Sequence, residues 1–430
     1  MKVATLIKNG YLLDPGSSRE GRYDLLIDGG IVTRVEPFIS ECEADEIIDA
    51  EGNYVMPGFI DLHVHLREPG FEYKETIKTG TAAAAAGGYT AVCPMPNTKP
   101  STDSPFMIEY VKMKAEKDSP IHVFPIGAIT KGQMGQELTD IKGMAEAGAL
   151  ALSEDGKSVM NADLYRTAMK QAKEAGLRIF AHCEDKPMVA GGVMNAGKKA
   201  EELGLPGITN AVEDVIAARD ILLAKETGVT LHLCHCSTKD SVKFIKLAKE
   251  EGLSVTGEVC PHHFAMSEDD ITGDDGNFKM NPPLRSKEDV EALKMGLKEN
   301  IIDVISTDHA PHSAEENNGS MLKSPFGIVG SETAFALTMT ALVKEGYLTP
   351  MQMVEKMSYN PAKILGIDRG CLGVGKAADI VIADPTRKYV IDPETFLSKG
   401  KNTPFAGKRV TGKVLRTMVD GKTVYLAGDR

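Results

Sequence analysis

Long apolar runs are missing from this 430-residue chain. No stretch of about 18 apolar residues occurs, and the alanine run from Thr81 to Ala86 stops at Gly87-Gly88, so a transmembrane helix is not expected. The opening MKVATLIKNGYLLD meets Lys8 and Asp14 too early for the apolar core of a signal peptide. Cysteine is sparse: seven residues, an odd number without framework-like spacing, argue against a disulfide scaffold and fit a reducing cytoplasm. An excess of basic charge is missing too. Lys and Arg total 49 against 61 Asp and Glu, a formal net charge of −12, which argues against nucleic acid or an acidic membrane as partner. What is present is ordinary globular usage, 42% apolar and 26% charged. At about 100–200 residues per domain, the length suits several domains or one large barrel with an accessory unit.

The two ends of the chain read alike. Thr5 to Leu13, Tyr23 to Ile27, Ile31 to Val35 and Glu46 to Ile48 have strand composition, with Gly29-Gly30 and Glu51-Gly52-Asn53 as turns. Asp379 to Ala383, Tyr389 to Ile391 and Val414 to Val424 do the same near the other end, with Gly421-Lys422 as a hairpin turn. Neither end carries enough apolar surface alone, so residues 1–55 and 370–430 are expected to form one composite β domain, a small β-sandwich. Residues 56–369 alternate short Val/Ile-rich runs with amphipathic stretches. The candidate strands are Phe59–Leu66, Thr90–Met95, Ile121–Ile126, Ala149–Ser153, Arg178–His182, Val229–His235, Ser254–Val259 and Asp303–Thr307. Helices are expected at Asn161–Ala175, Ala211–Thr227 and Lys239–Glu250, with start signals at Ser104-Pro105 and at Ser286 with Asp289. The pattern predicts an α/β fold, a (β/α)8 TIM-like barrel; a doubly wound sheet is the alternative.

A barrel builds its active site at the carboxyl ends of its strands. Those ends carry His63 and His65, Asn97, Glu154 and Asp155, His182, His235, His262 and His263, and Asp308. His63 and His65, two apart on a strand, project from one face and can bind one ion. With His182, His235 and Asp308 they suit zinc, with manganese or iron as alternatives. The ligand count suggests two ions bridged by a carboxylate, and Asp155 is preferred to Glu154 because it directly precedes Gly156 at the turn; Glu154 is expected to be solvated or to face a helix. Asp308 can take a proton from water and deliver it to a leaving nitrogen. His309 should face away, whereas His312 in the following loop can face substrate.

Other features are expected to carry no chemistry. Gly370 to Lys376 matches most of a phosphate-binding loop but leads into a strand. Cys183, Cys234 and Cys236, beside the histidines, should face away from them and fill the core. The acidic run from Glu268 to Gly276 lacks calcium-loop spacing. His122 and His232 read as structural.

These residues resemble the amidohydrolase superfamily and, within it, the bacterial type I dihydroorotases. The likeness runs from Met56 to Gly70, with His63-Val64-His65 and Arg67, through Met95-Pro96-Asn97-Thr98, Lys279 to Arg285 and Thr307 to His312, to Phe396–Phe405. It implies reversible cyclisation of N-carbamoyl-L-aspartate to L-dihydroorotate, a small-molecule reaction of pyrimidine synthesis. By motif match, His63, His65 and Asp308 would bind one zinc, His182 and His235 the other, and Asp155 both. Arg67, Asn97 and His312 would hold the substrate carboxylate, with Asn281 and the backbone at Phe326-Gly327 completing the pocket and His65 also touching substrate. A planar guanidinium grips a carboxylate bidentately. Many superfamily members bridge their metals with a carboxylated lysine; here strand four ends in Asp155, and Lys157 lies beyond the turn. Allantoinase or dihydropyrimidinase activity, or a non-catalytic relative, are the rival readings. A homodimer or association with another pyrimidine-pathway enzyme, and a lid over 312–330, complete the expectations.

Overall fold

Gly29 and Gly30, with φ of 60° and 83°, close the hairpin between β2 (Arg19–Asp28) and β3 (Ile31–Glu36), a backbone region open to glycine at little cost. The computed structural model describes residues 4–317 and 319–428. β1 (Thr5–Asp14) pairs antiparallel with β2 and parallel with both β4 (Glu46–Asp49) and β5 (Tyr54–Pro57). The other edge of β5 pairs antiparallel with β17 (Ile380–Val390), Met56 opposite Val381, and β18 (Arg409–Val419) and β19 (Lys422–Leu426) follow. The two ends of the described chain therefore share one sheet, in the order β19-β18-β17-β5-β1-β2-β3 with β4 beside β1. Strand pairing is continuous from one half to the other, because β5 bonds on both edges and stitches the halves. Ile7, Leu25 and Val55 from one half meet Ile380, Ile382 and Met418 from the other in one apolar cluster.

Between the two halves lie short parallel strands: β6 (Phe59–Val64), β7 (Tyr89–Pro94), β8 (His122–Val123), β9 (Gly127–Ala128), β10 (Ala151–Ser153), β11 (Arg178–Ala181), β14 (Leu231–Leu233), β15 (Val255–Val259) and β16 (Val304–Ile305). The small pair β12 (Met194–Asn195) and β13 (Gly207–Ile208) stands apart. Ile121–Ile126, read as one strand, is two pieces, since Pro125 has no N–H to give the ladder. β8 pairs β7 and β9 pairs β10, so the segment still passes the ladder from one neighbour to the next. Pairing runs on through β11, β14, β15 and β16. After β16, the His65 N–H donates to the His309 carbonyl at 2.8 Å beside a parallel bridge from Val64 to His309, which returns the order to β6.

Both faces of these strands are buried, as parallel strands require. Phe59, Val92, Leu152, Ile179 and Leu231 join one apolar cluster with the helices, while Ile60, Ala91, Ala151, Phe180 and Val304 form another. Helices Ala211–Thr227 and Lys239–Glu250 have the expected limits, and Ala162–Glu174 is one residue shorter at each end. Ser104 and Ser286 accept the N–H groups of Met107 and Asp289 as caps. The Gly370–Lys376 loop opens no helix; it is pinned to β3 by Val32 N–H to Lys376 O at 2.9 Å. The expected lid includes Asn318, which lies outside the described residues.

Candidate metal centre and substrate pocket

Three segments that carry candidate metal ligands, and the one that carries Arg67, depart from regular backbone. Between Asp61/Val92 and Val64/Pro94 the β6–β7 register slips by one residue, a bulge that re-aims side chains. Leu62 and His63 thus face the same interior side, with Val64 turned outward. His235 and Asp308 follow their strands in left-handed backbone, φ 34° and 48°, and Arg67 has φ 61°. Residues without glycine's freedom hold such conformations at a cost, and such strain gathers at functional sites.

Those distortions converge on Asp155. Its Oδ1 lies 3.2 Å from His63 Nε2, 3.3 Å from His182 Nδ1 and 3.7 Å from His235 Nε2. Its Oδ2 is 3.6 Å from His65 Nε2, which is 3.0 Å from Asp308 Oδ1. His182 Nδ1 and His235 Nε2 face each other at 2.8 Å. All six side chains are buried. His63 Nε2 and Asp155 Oδ1 have no hydrogen-bond partner, although His63 donates from Nδ1 and so presents a lone pair toward two carboxylates. Such facing groups call for positive charge between them, a proton or a cation. Charge says the same: burial disfavours a charged His182 ring, yet Asp155 and Glu184 hold its pKa up to about 9, and burial of Asp308 is outweighed by His63 and His65, which depress it. These donors fit a divalent metal, one position among His63, His65 and Asp308, a second between His182 and His235, with Asp155 reaching both.

Behind the candidate ligands stand residues that the sequence reading missed. Glu258 of β15, fully buried, accepts from His63 Nδ1 at 2.9 Å, His235 N at 3.2 Å and His232 Nε2 at 3.1 Å. Asp61 accepts from the His63 N–H and from Thr307 N and Oγ1. Glu184 faces His182 Nε2 at 3.5 Å and is paired with Lys186 at 2.8 Å. An acidic residue next to a ligand strand was the only available signal. Glu154 is neither solvated nor turned to a helix: buried, it accepts from the N–H groups of Ile129 and Thr130 and from the Thr130 hydroxyl. Cys183, Cys234 and Cys236 all sit in the core as expected, but the Cys234 thiol does not face away: it lies within 4.8 Å of His63 and Glu258 donor atoms, because the left-handed backbone at His235 breaks strand alternation. His232, read as structural, bridges Glu258 and the Thr256 hydroxyl. His309 does face away, its Nδ1 accepting from Gly330 and Ser331. His262 and His263 meet edge to face, and His263 Nε2 donates to the Pro282 carbonyl.

A cavity of about 170 Å³ opens over this cluster, lined among others by Arg67, Asn97, Lys186, Asn281, Phe326 and Gly327. Arg67 lines the cavity, its Nε donating to the Pro311 carbonyl at 3.2 Å and its Nη2 standing 3.3 Å from His312 Nε2. Burial lowers Arg67 to about 10, so it stays charged near neutral pH. His312 sits behind Arg67 rather than on the cavity wall, donating from Nε2 to the Phe326 carbonyl at 2.8 Å. Burial, with Arg67 and Lys74 nearby, lowers it to about 2, so its ring is neutral. Asn97 spends its amide on the ligands, accepting from His65 Nδ1 at 2.9 Å and donating to Asp155 Oδ2 at 3.1 Å. Asn281 donates to Glu184. Gly327 has φ 134°, and a Cβ there would stand 2.6 Å from that of Ala310.

This constellation has parallels. The family described as Dihydro-orotase-like matches residues 52–241. Dihydroorotase of Caldanaerobacter subterraneus subsp. tengcongensis is 49% identical over 420 residues, covering 98% of this chain and 97% of that protein. That of Ligilactobacillus salivarius is 49% identical, covering 98% and 99%, and that of Staphylococcus aureus 47%, covering 99% and 100%. The chain belongs to the dihydroorotase family. The fold of the family is shared more widely. L-hydantoinase (dihydropyrimidinase) from Arthrobacter aurescens superposes with a TM-score of 0.88 at 28% identity, covering 99% of this chain and 97% of its own. Dihydropyrimidinase from Brevibacillus agri gives 0.85 at 26%, covering 98% and 95%. The protein is accordingly a cyclic-amide hydrolase with an α/β fold and a cluster of candidate metal-binding residues. Among the described residues no helix is long and apolar enough to cross a membrane.

Proposed function

We propose that the protein interconverts dihydroorotate and N-carbamoyl-L-aspartate at a zinc centre held by His63, His65, Asp155, His182, His235 and Asp308. The observation that carries this reading is the unpartnered, buried His63 Nε2 facing Asp155 Oδ1, with Arg67 at the rim of the same cavity. Bound zinc would polarise the ring carbonyl and lower the pKa of water. Asp308 takes the proton of the attacking water and passes it to the ring nitrogen as the amide C–N bond breaks; in cyclisation the steps reverse. The substrate carboxylate meets the Arg67 guanidinium, with neutral His312 bracing it. Asn97 holds His65 and Asp155 while bordering substrate, and Asn281, Phe326 and Gly327 shape the far wall.

The sequential parallel pairing and the return from His309 to β6 support a closed (β/α)8 barrel over residues 56–369. The shared sheet supports a composite domain from residues 1–55 and 370–430, extended by β5 to Pro57. Unpaired cysteines support a reducing cytoplasm. A homodimer, or association with another enzyme of the pathway, is compatible with this reading.

The hydantoinase-like fold favours one rival, a hydrolase of hydantoins or dihydropyrimidines. Those uncharged rings offer Arg67 no carboxylate to grip. Turnover of dihydroorotate, hydantoin and dihydrouracil measured side by side, with metal per chain determined by elemental analysis, decides it. Activity on dihydroorotate alone is expected; activity on only the other two overturns the assignment.

A further inference from the structure

We infer that Glu258 is a positioning residue for the metal centre: it sets the tautomer of His63 and ties together the strands that carry His63 and His235. The inference rests on the reading of His63 as a metal ligand. An imidazole that ligates through Nε2 must carry its proton on Nδ1, and a carboxylate at Nδ1 both enforces that tautomer and makes the ring a stronger donor. Glu258 Oε1 stands 2.9 Å from His63 Nδ1 and accepts the His235 backbone N–H at 3.2 Å, at the residue whose backbone is left-handed. The same oxygen thus touches one residue of each metal position. Its other oxygen meets His232 Nε2 at 3.1 Å, and His232 Nδ1 is 2.8 Å from the Thr256 hydroxyl. No part of Glu258, His232 or His63 is exposed.

A buried carboxylate among apolar strands is costly unless several donors meet it, and here three do. None of the three is a Lys or Arg, so the charge is not there to complete an ordinary ion pair. His182 has a weaker counterpart. Glu184 lies 3.5 Å from its Nε2 and is shared with Lys186 and Asn281. The backing of the two metal positions is therefore unequal, and the one built on His63 should hold its ion more tightly.

Glu258→Gln tests this. The amide keeps an oxygen for His63, and His232 can exchange tautomer to accept the new N–H₂ while giving its own proton to Thr256. The variant should fold, with the metal-free unfolding midpoint near that of the parent. In chelator competition with Zn²⁺ alone, its tightest zinc should bind about 10–100-fold more weakly. At saturating zinc, KM for dihydroorotate should stay unchanged and kcat should largely recover. Zinc affinity equal to the parent's overturns the inference while leaving the site reading intact. A parent protein that binds no zinc overturns the site reading itself. Where the Gln variant does not fold, Glu258→Asp carries the test, since it keeps the charge and withdraws it by one methylene: weaker zinc binding supports the role, parental affinity overturns it.

Discussion

In the proposed reaction, Asp308 and Arg67 divide the work of the pocket between a proton and a charge. Replacing Asp308 by Asn keeps its shape and one ligating oxygen, so much of the metal and substrate binding should survive while turnover falls about 10²–10⁴-fold; stopped assays beside metal analysis check this. Arg67→Lys loses the planar fork but keeps the charge. Its kcat/KM for dihydroorotate should fall about 10–100-fold, chiefly through KM. Parental kinetics in either variant contradict the role assigned. The histidines and Asp308 were legible because metal-ligating residue types recur at the ends of apolar runs, and Arg67 because it follows the His63-Val64-His65 element. Glu258 and Glu184 were not. A single acid in a strand or just beyond one looks the same whether it braces a ligand or meets solvent, and only contacts between distant segments tell the two apart. Cys234 shows a second kind of blindness: strand alternation misplaces a side chain wherever a non-glycine residue such as His235 takes a positive φ.

At the scale of elements, the loop that brings Phe326 and Gly327 beside His312 depends on a missing side chain. Gly327→Ala adds a methyl group 2.6 Å from the Ala310 Cβ and 3.2 Å from His312 Nε2, in backbone that alanine resists. The loop must shift, and kcat/KM should drop about 10–100-fold with metal content unchanged, as read by steady-state kinetics and elemental analysis. Helix limits were readable from caps and amphipathic spacing, and they came out within a residue or so. Strand limits were less readable. The third strand divides at Pro125, and the bulge in β6 arises from how two strands meet rather than from any residue type. The pairing of the two ends was readable from their alternation, but the strand order was not: nothing in the sequence of β5 says that it bonds on both edges.

For the whole molecule, stability should track both pH and metal. Lys356 is buried against the Ile302 carbonyl and Asn300 Oδ1, and burial pushes its pKa down from 10.5 to about 8. Between pH 8 and about 10.5 the unfolded chain holds a proton that the native chain has released. Native stability relative to Lys356→Met should therefore rise with pH across that window, by about 1.4 kcal/mol per unit, and stay level below it; denaturation midpoints at matched pH values measure the difference. Metal removal should lower the unfolding temperature, since only the folded cluster gathers the ligands; zinc at a hundred times its dissociation constant contributes about 2.7 kcal/mol.

Gly58 is the one residue between β5, in the shared sheet, and β6, which leads to His63. Its N–H is bonded to the Asp379 carbonyl at 2.8 Å, and a methyl group there would strike Thr90. The outer sheet is thus joined directly to the strand that carries His63, with no slack to absorb a shift. Loosening that sheet at its β5–β17 seam should make zinc leak to a chelator while the catalytic strands remain folded.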